Sequence, residues 1–452
     1  MNKQELKINY ENILAEKIST KHGLRKSEIL DYQDQVAEII AKMNAERKDD
    51  NSPFGFLNFP YQDIKPYLKI AEKLARVYKY IIVVGIGGSS LGAKAIHQAL
   101  HHTYWNDISN QNRGDIPKMH FLENVDPEQT FELLSVINLS QTLVVVVSKS
   151  GSTPETLANF AILRKKLISK HGKNNFAQHI IAISESGNGA LHTLAEKEGY
   201  QFFPVNKAVS GRYSVLGAEG LVPAALAGID IKKLLAGAAA MDKRCKKQKL
   251  LDNPAALLAV IQYLLYSKKS KNNTVLFSYA HHLSRIVDWY RQILAESTGK
   301  ELNEQNQRVY TGITPLKAVG VIDQHSQLQL YNEGPNDKLI IFIAPEQYHH
   351  DFKISSLGAD IPGTDYLNNQ SYAKLFKVEA LTTQFALTNY HRPNIAISIP
   401  QIDAHSMGQI LFMLEVQVAI LGKLLNINPF NQPGVELGKQ YTKTFMKSNE
   451  SF

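Results

Sequence analysis

The sequence predicts an α/β protein with two doubly wound, parallel-rich lobes, and three observations predict it. Short β-branched runs, at 80–84, 143–147 and 180–183, alternate with stretches whose apolar residues recur at helical spacing. Two of these runs stop abruptly at turns rich in glycine or hydroxyl side chains, as buried parallel strands do on leaving a sheet. The alternation returns, less regularly, in the second half, and 452 residues suffice for more than one core.

Taken in order, residues 1–50 read as helical and charged, with an apolar stripe through Ile8, Ile13, Leu14, Ile29, Leu30, Val36, Ile39 and Ile40. Proline, glycine and asparagine at 51–60 break that pattern. A helix is expected over 64–78, then a strand over 80–84, a glycine-rich turn over 85–92 and a helix over 93–100. Further β–α units follow: a strand at 120–122 with a helix near Gln129, a strand over 143–147 with its helix, and a strand over 180–183 with a helix over 191–198. The second half gives helices over 213–227 and 231–251, a strand over 274–278, and a helix over 281–295. Strands over 339–344 and 394–399 come next, flanked by helices over 373–388 and 406–425. The implied division is a helical N-terminal segment, 1–50, a first α/β domain, 51–205, a second, 206–430, and a C-terminal tail, 431–452.

Hydrophobic residues make up 44% and charged residues 20%, ordinary for a soluble globular chain. The net charge of +8 favours anionic ligands. The basic clusters at 243–249 and 268–271 carry no interleaved aromatics, so they read as solvated helix ends or loops and nucleic acid is not an expected partner. The apolar stretch 409–425 contains Glu415 and Lys423, which marks a buried helix rather than a membrane span. A single cysteine, Cys245, excludes an intrachain disulfide and points to a reducing compartment. The first residues lack an apolar signal-peptide core, and a cytoplasmic location is expected.

The stretch Thr142-Leu-Val-Val-Val-Val-Ser-Lys-Ser-Gly-Ser-Thr-Pro-Glu-Thr156 organises the rest. A buried strand, a hydroxyl-rich turn and a helix start bring backbone N–H groups and neutral donors together, which suits an anion. It equally suits a well-capped helix, with Thr153 as N-cap and Pro154 in the first turn. The loop Gly85-Ile-Gly-Gly-Ser-Ser-Leu-Gly92 fails the dinucleotide fingerprint at Ser90, and fails a Walker loop because Ala93 precedes Lys94. Two such turns in one run of β–α units lie on one sheet edge, where they can converge on a phosphorylated metabolite. Three histidine pairs, His101-His102, His281-His282 and His349-His350, stand out, but adjacent residues on a helix do not face the same way. Without His-Glu-x-x-His or Cys-x-x-Cys, no metal is expected. Glu296, His325, Lys439 and Arg212 are acid–base or charge candidates that spacing alone cannot bring together.

Six segments carry a resemblance: Gly85-Ile-Gly-Gly-Ser89, Ser148-Lys-Ser-Gly-Ser-Thr153, Gly211-Arg-Tyr-Ser214, Glu296-Ser-Thr-Gly-Lys300, Gln324-His325 and Gln432-Pro-Gly-Val-Glu-Leu-Gly-Lys439. In these, and over nearly its whole length, the chain resembles the glucose-6-phosphate isomerase (phosphoglucose isomerase) family, in its short bacterial form. The resemblance implies two sugar-isomerase-type (SIS-type) α/β domains and a homodimer with shared active sites. It implies interconversion of glucose 6-phosphate and fructose 6-phosphate in glycolysis and gluconeogenesis, without a cofactor. Ser148, Lys149, Ser150 and Thr153 would hold the phosphate, the neutral hydroxyls more than Lys149. Gly88 and Ser89 would line the sugar site, and Gln292 and Gln432 would also contact substrate. Glu296 would be the base, His325, from the partner subunit, and Lys439 the ring-opening groups, and Arg212 the charge stabiliser. Ser210, Ser90 and Asn431 depart from residues frequent in the family, and none of them is a proposed proton carrier.

Overall fold

A computed structural model describes residues 5–74, 76–187, 189–356 and 361–448. Ala75 of the expected helix over 64–78, the first four residues of the N-terminal segment and the last four of the tail lie outside these. The strands are β1 (Lys7–Asn9), β2 (Tyr80–Val84), β3 (Lys118–Leu122), β4 (Thr142–Val147), β5 (Ile180–Ser184) and β6 (Gln201–Pro204). They continue with β7 (Asn273–Ser278), β8 (Lys300–Leu302), β9 (Arg308–Thr311), β10 (Thr314–Val319), β11 (Lys338–Pro345) and β12 (Asn394–Ile399).

Two five-stranded sheets form the frame. The first runs β3-β2-β4-β5-β6, all parallel. Numbered along the chain within that sheet, its order is 2-1-3-4-5, which puts the topological switch between β2 and β4. The second runs β1-β12-β11-β7-β10. Its four parallel strands repeat the same order, 2-1-3-4, with a switch between β7 and β11. Antiparallel β8 and β9 form a small separate pair.

Burial on both faces explains the β-branched runs. In β4 every residue is buried, and its side chains alternate between two cores: Val145 and Val147 on one side, Val144 and Val146 on the other. The largest core unites the inner faces of both sheets, through Val83, Val145 and Ile183 of the first and Leu276, Ile341 and Ile397 of the second. The helices Ala218–Leu226, Ile231–Cys245, Pro254–Lys269 and Ala404–Leu424 supply much of it. Ala404–Leu424 is long and apolar enough to cross a membrane, but 94% of its most apolar window is buried inside the protein, as the charged pair within it foretells.

The sequence reading missed elements at the sheet edges. The N-terminal segment is not wholly helical: Lys7–Asn9 pairs antiparallel with β12, and Lys7 meets Glu346 at 2.7 Å. β6 and β10 are also edge strands, partly exposed, and β10 contains Pro315. An edge strand shows no continuous apolar run, and proline is tolerated where one side of the ladder is unpaired. The helix expected over 213–227 begins only at Ala218, after the short 3-10 turn Gly211–Tyr213.

Candidate active site

The two turns singled out in the sequence meet at the switch of the first sheet. β2 and β4 are neighbours in parallel register, so the loops leaving them emerge side by side. The approach is close: a Cβ on Gly85 would lie 3.0 Å from the Val147 carbonyl oxygen. In the second loop Gly151 takes φ +65°, a left-handed conformation open to glycine, and its N–H bonds the Ser148 carbonyl at 3.0 Å. Ser148 is buried, and its hydroxyl lies 3.0 Å from that of Thr153. Thr153 occupies the N-cap position of the helix Pro154–His171, with Pro154 in the first turn, yet its side chain makes no capping bond. The N–H groups of the first helical turn therefore keep their capacity for another acceptor. The Ser150 hydroxyl, exposed, receives the Ser152 N–H and hydroxyl. Lys149 turns aside: its ammonium lies 3.7 Å from Glu185.

The first loop joins this turn to the rest of the site. Gly88 lies so near the turn Gly211–Tyr213 that a Cβ would sit 2.3 Å from the Gly211 carbonyl carbon, and one on Gly87 would sit 2.9 Å from Gln292 Nε2. Any side chain at Gly88 would push Arg212 away. Arg212 is buried and is the hub. Its Nε donates to Ser297 Oγ at 2.9 Å, and one terminal nitrogen donates to Gln432 Oε1 at 2.8 Å and Glu296 Oε2 at 3.2 Å. The other donates to the carbonyls of Pro429, at 2.5 Å, and Asn431, at 3.0 Å. A planar guanidinium with five donors matches this divided set, and an ammonium does not. Burial lowers the Arg212 pKa, and the neighbouring Tyr213 and Glu296 oppose that shift.

Gln292 and Glu296 stand one turn apart on the helix Ser284–Thr298, and Gln292 Nε2 donates to Glu296 Oε1 at 3.0 Å. The Glu296 carboxylate thus has one oxygen on Arg212 and one on Gln292, and its side chain stays 37% accessible. Gln292 Oε1 is buried without a protein donor. The Lys300 ammonium donates to the Glu296 carbonyl oxygen. Burial, with Arg212 beside it, lowers Lys300 to about 8, against the pull of Glu296.

The contacts of the Glu296 side chain do not include His325 or Lys439. His325 is exposed on the short helix Ile322–Ser326, beyond edge strand β10. Its neighbour Gln324 anchors that helix by accepting from Tyr279, at 2.5 Å, and donating to Glu379, at 3.0 Å. Lys439 sits on the exposed tail helix Glu436–Phe445 and pairs with Glu436 at 2.7 Å. One chain therefore brings together Gly88, Arg212, Gln292, Glu296 and Gln432 beside the hydroxyl turn, and leaves His325 and Lys439 facing outward. Ser297 and Lys300 escaped the residue-level reading. Serine, threonine, glycine and lysine at a helix end look like ordinary capping, and their signal was their place in the segment 296–300 that carries the resemblance.

A model of the family described as phosphoglucose isomerase matches residues 73–451. The chain belongs to the phosphoglucose isomerase family. It is 39% identical to a glucose-6-phosphate isomerase of Carboxydothermus hydrogenoformans over 97% of this chain and 94% of that one. To its counterpart in Methanocaldococcus jannaschii it is 35% identical over 96% and 98%. Among solved structures, a hypothetical protein of Thermus thermophilus superimposes with a TM-score of 0.87 at 30% identity, over 98% of this chain and 100% of that one. The fold is shared with a glucose-6-phosphate isomerase of Chlamydia trachomatis, TM-score 0.80 at 22% identity, over 98% and 88%.

Proposed function

We propose that the chain interconverts D-glucose 6-phosphate and D-fructose 6-phosphate, the isomerase step of glycolysis and gluconeogenesis. The observation that carries this reading is the carboxylate of Glu296, held by Arg212 and Gln292 beside a hydroxyl-rich anion turn. Ser148, Ser150, Thr153 and the helix N-terminus fix the phosphate. That end of the sugar lies away from C1 and C2, so a fixed anchor sets the distance at which Glu296 acts. Glu296 removes the C2 proton of the open aldose and returns it to C1. The cis-enediolate formed between these steps is anionic, and Arg212 stabilises it more than the neutral sugar. Gln292 and Gln432 offer amide groups to the sugar hydroxyls, as Gly88 and Ser89 do from the facing loop. The ring opens by proton transfer through Lys439 and a histidine, whose charge switches near neutral pH.

The working unit in this reading is a homodimer with shared active sites. Two features support it. His325 is exposed and is not among the contacts of Glu296 in its own chain, which fits a site completed by His325 of the partner subunit. The tail helix also exposes Leu437 and Tyr441, one turn apart, at 59% and 54%. An apolar stripe of this kind is covered in a stable protein, and a second copy supplies the cover.

The test is turnover of fructose 6-phosphate by purified protein without added metal or nucleotide, read through a coupled glucose-6-phosphate dehydrogenase. Glu296→Gln is expected to bind substrate but to lose about two orders of magnitude or more in kcat. Substrate binding without turnover in the unmodified protein would assign it instead to phosphosugar-binding regulators. An unchanged rate in Glu296→Gln would remove Glu296 as the base.

A further inference from the structure

The switch point of the second sheet is lined by the three histidine pairs that the isomerase site leaves unused. β7 and β11 are parallel neighbours, and the chain leaves them through 279–283, carrying His281-His282, and 346–352, carrying His349-His350. The end of the helix Leu91–Leu100 brings His101-His102 to the same crevice. The cavity they share measures about 940 Å³ and lies outside the Arg212–Glu296 centre. Pairs too poorly aimed to chelate singly thus converge from three segments. Ligand sites in open α/β sheets form at such switch points, and the first lobe uses its own for the hydroxyl turn.

The lining contains no aspartate, glutamate, lysine or arginine. Charge in this cavity is therefore set by histidines. His282 Nδ1 lies 2.9 Å from the Gln98 carbonyl oxygen, and His349 Nε2 lies 2.9 Å from that of Ile402. Carbonyls only accept, so each of these nitrogens carries a proton, and the other ring nitrogen becomes a donor when the ring protonates. His102 Nδ1 accepts the Tyr104 N–H at 3.0 Å, which leaves the proton of the neutral ring on Nε2. Burial lowers the His282 pKa, and the charged groups acting on it are His281, His102 and His349. His101, its ring centre 3.8 Å from that of Trp105, is held by burial at about 4 and stays neutral. Just outside, Lys377 lies 5.8 Å from the centre of the Tyr348 ring, Glu346 is paired with Lys7, and Asp351 caps the helix Tyr372–Asn389. Tyr348, Phe352, Tyr372 and Phe376 add aromatic rings to the lining. No group of three or more metal-ligating side chains is aimed at one point among the described residues.

We propose that this crevice is a second binding site, for a small organic oxyanion that carries a flat ring. The His282, His349 and His102 imidazoles hold its phosphate or carboxylate, His282 and His349 taking up a proton as the anion binds, and its ring lies against Tyr348 and Phe376.

Titration calorimetry on the full-length protein tests this with 5′-AMP as probe, in saturating fructose 6-phosphate to keep the isomerase site filled. Saturable binding at pH 6 is expected, weakening at least about tenfold at pH 8 because binding takes up protons. Adenosine and inorganic phosphate should each bind at least about tenfold more weakly than AMP at pH 6. The double variant His282→Gln/His349→Gln should lose at least about tenfold in AMP affinity with its isomerase turnover retained. Because His282 is partly buried, His102→Gln, at an exposed position, provides a second variant expected to weaken AMP in the same direction. Absence of AMP binding at pH 6, equal affinity at both pH values, or undiminished affinity in all these variants would overturn the proposal. Loss of AMP binding in Ser148→Ala but not in the histidine variants would also overturn it, since it would place AMP in the isomerase site.

Discussion

Replacing Arg212 by lysine separates charge from geometry at the centre of the site. The guanidinium reaches five acceptors, Ser297 Oγ, Gln432 Oε1, Glu296 Oε2 and the Pro429 and Asn431 carbonyls, at 2.5–3.2 Å. A lysine ammonium keeps the positive charge but has three donors on a point, so at least two of these bonds are lost. Ser297 is fully buried and Pro429 is buried, so their acceptors gain no water in exchange. At about 1.5–3 kcal/mol for each bond to a charged donor, the loss over two bonds is about 3–6 kcal/mol. If it falls on the transition state, kcat drops by about two to four orders of magnitude, with a smaller change in KM. The assay is the coupled conversion of fructose 6-phosphate, with thermal unfolding of the same sample to show that the variant is folded. An Arg212→Lys protein within about threefold of the parent in kcat would refute the reasoning, because charge without the fork would then suffice.

Other outcomes follow from neighbouring groups. Lys300, lowered to about 8, loses its proton across pH 7–9, so positive charge behind Glu296 falls in that window. An alkaline decline in kcat/KM centred near pH 8 is expected, and Lys300→Arg should move it to higher pH; an identical profile would show that Lys300 does not set it. Glu219 is buried and raised to about 7 by that burial, so as pH rises the unfolded chain releases this proton before the folded one does. Stability therefore falls between about pH 4.5 and 7, and above that range Glu219→Gln should stabilise by up to about 3 kcal/mol, with no gain near pH 4. Equal denaturation midpoints for the two proteins at pH 8 would contradict this. Mixing subunits of inactive His325→Ala and Glu296→Gln proteins should restore activity, because one site of each heterodimer regains both groups. No recovery despite demonstrated subunit exchange would place each site within one chain.

Local sequence dictates the α/β class, the central strands and the chemistry of the turns. A strand such as β4, buried on both faces, must be apolar throughout, and that demand is written into contiguous residues. Edge strands carry no such demand, which is why Lys7–Asn9, Gln201–Pro204 and Thr314–Val319 were not legible. The site was legible only through motif resemblance. Glu296, Arg212 and Gln432 stand as separate polar residues in the sequence until folding joins Glu296 and Gln432 on the Arg212 guanidinium, across 84 and 220 positions of chain. Folding also sets the role of Thr153, which the turn directs to the Ser148 hydroxyl rather than to the helix it heads. It alone gathers three histidine pairs into one crevice, because the convergence depends on which strands are neighbours in the sheet, and strand order is a property no local pattern of residues carries.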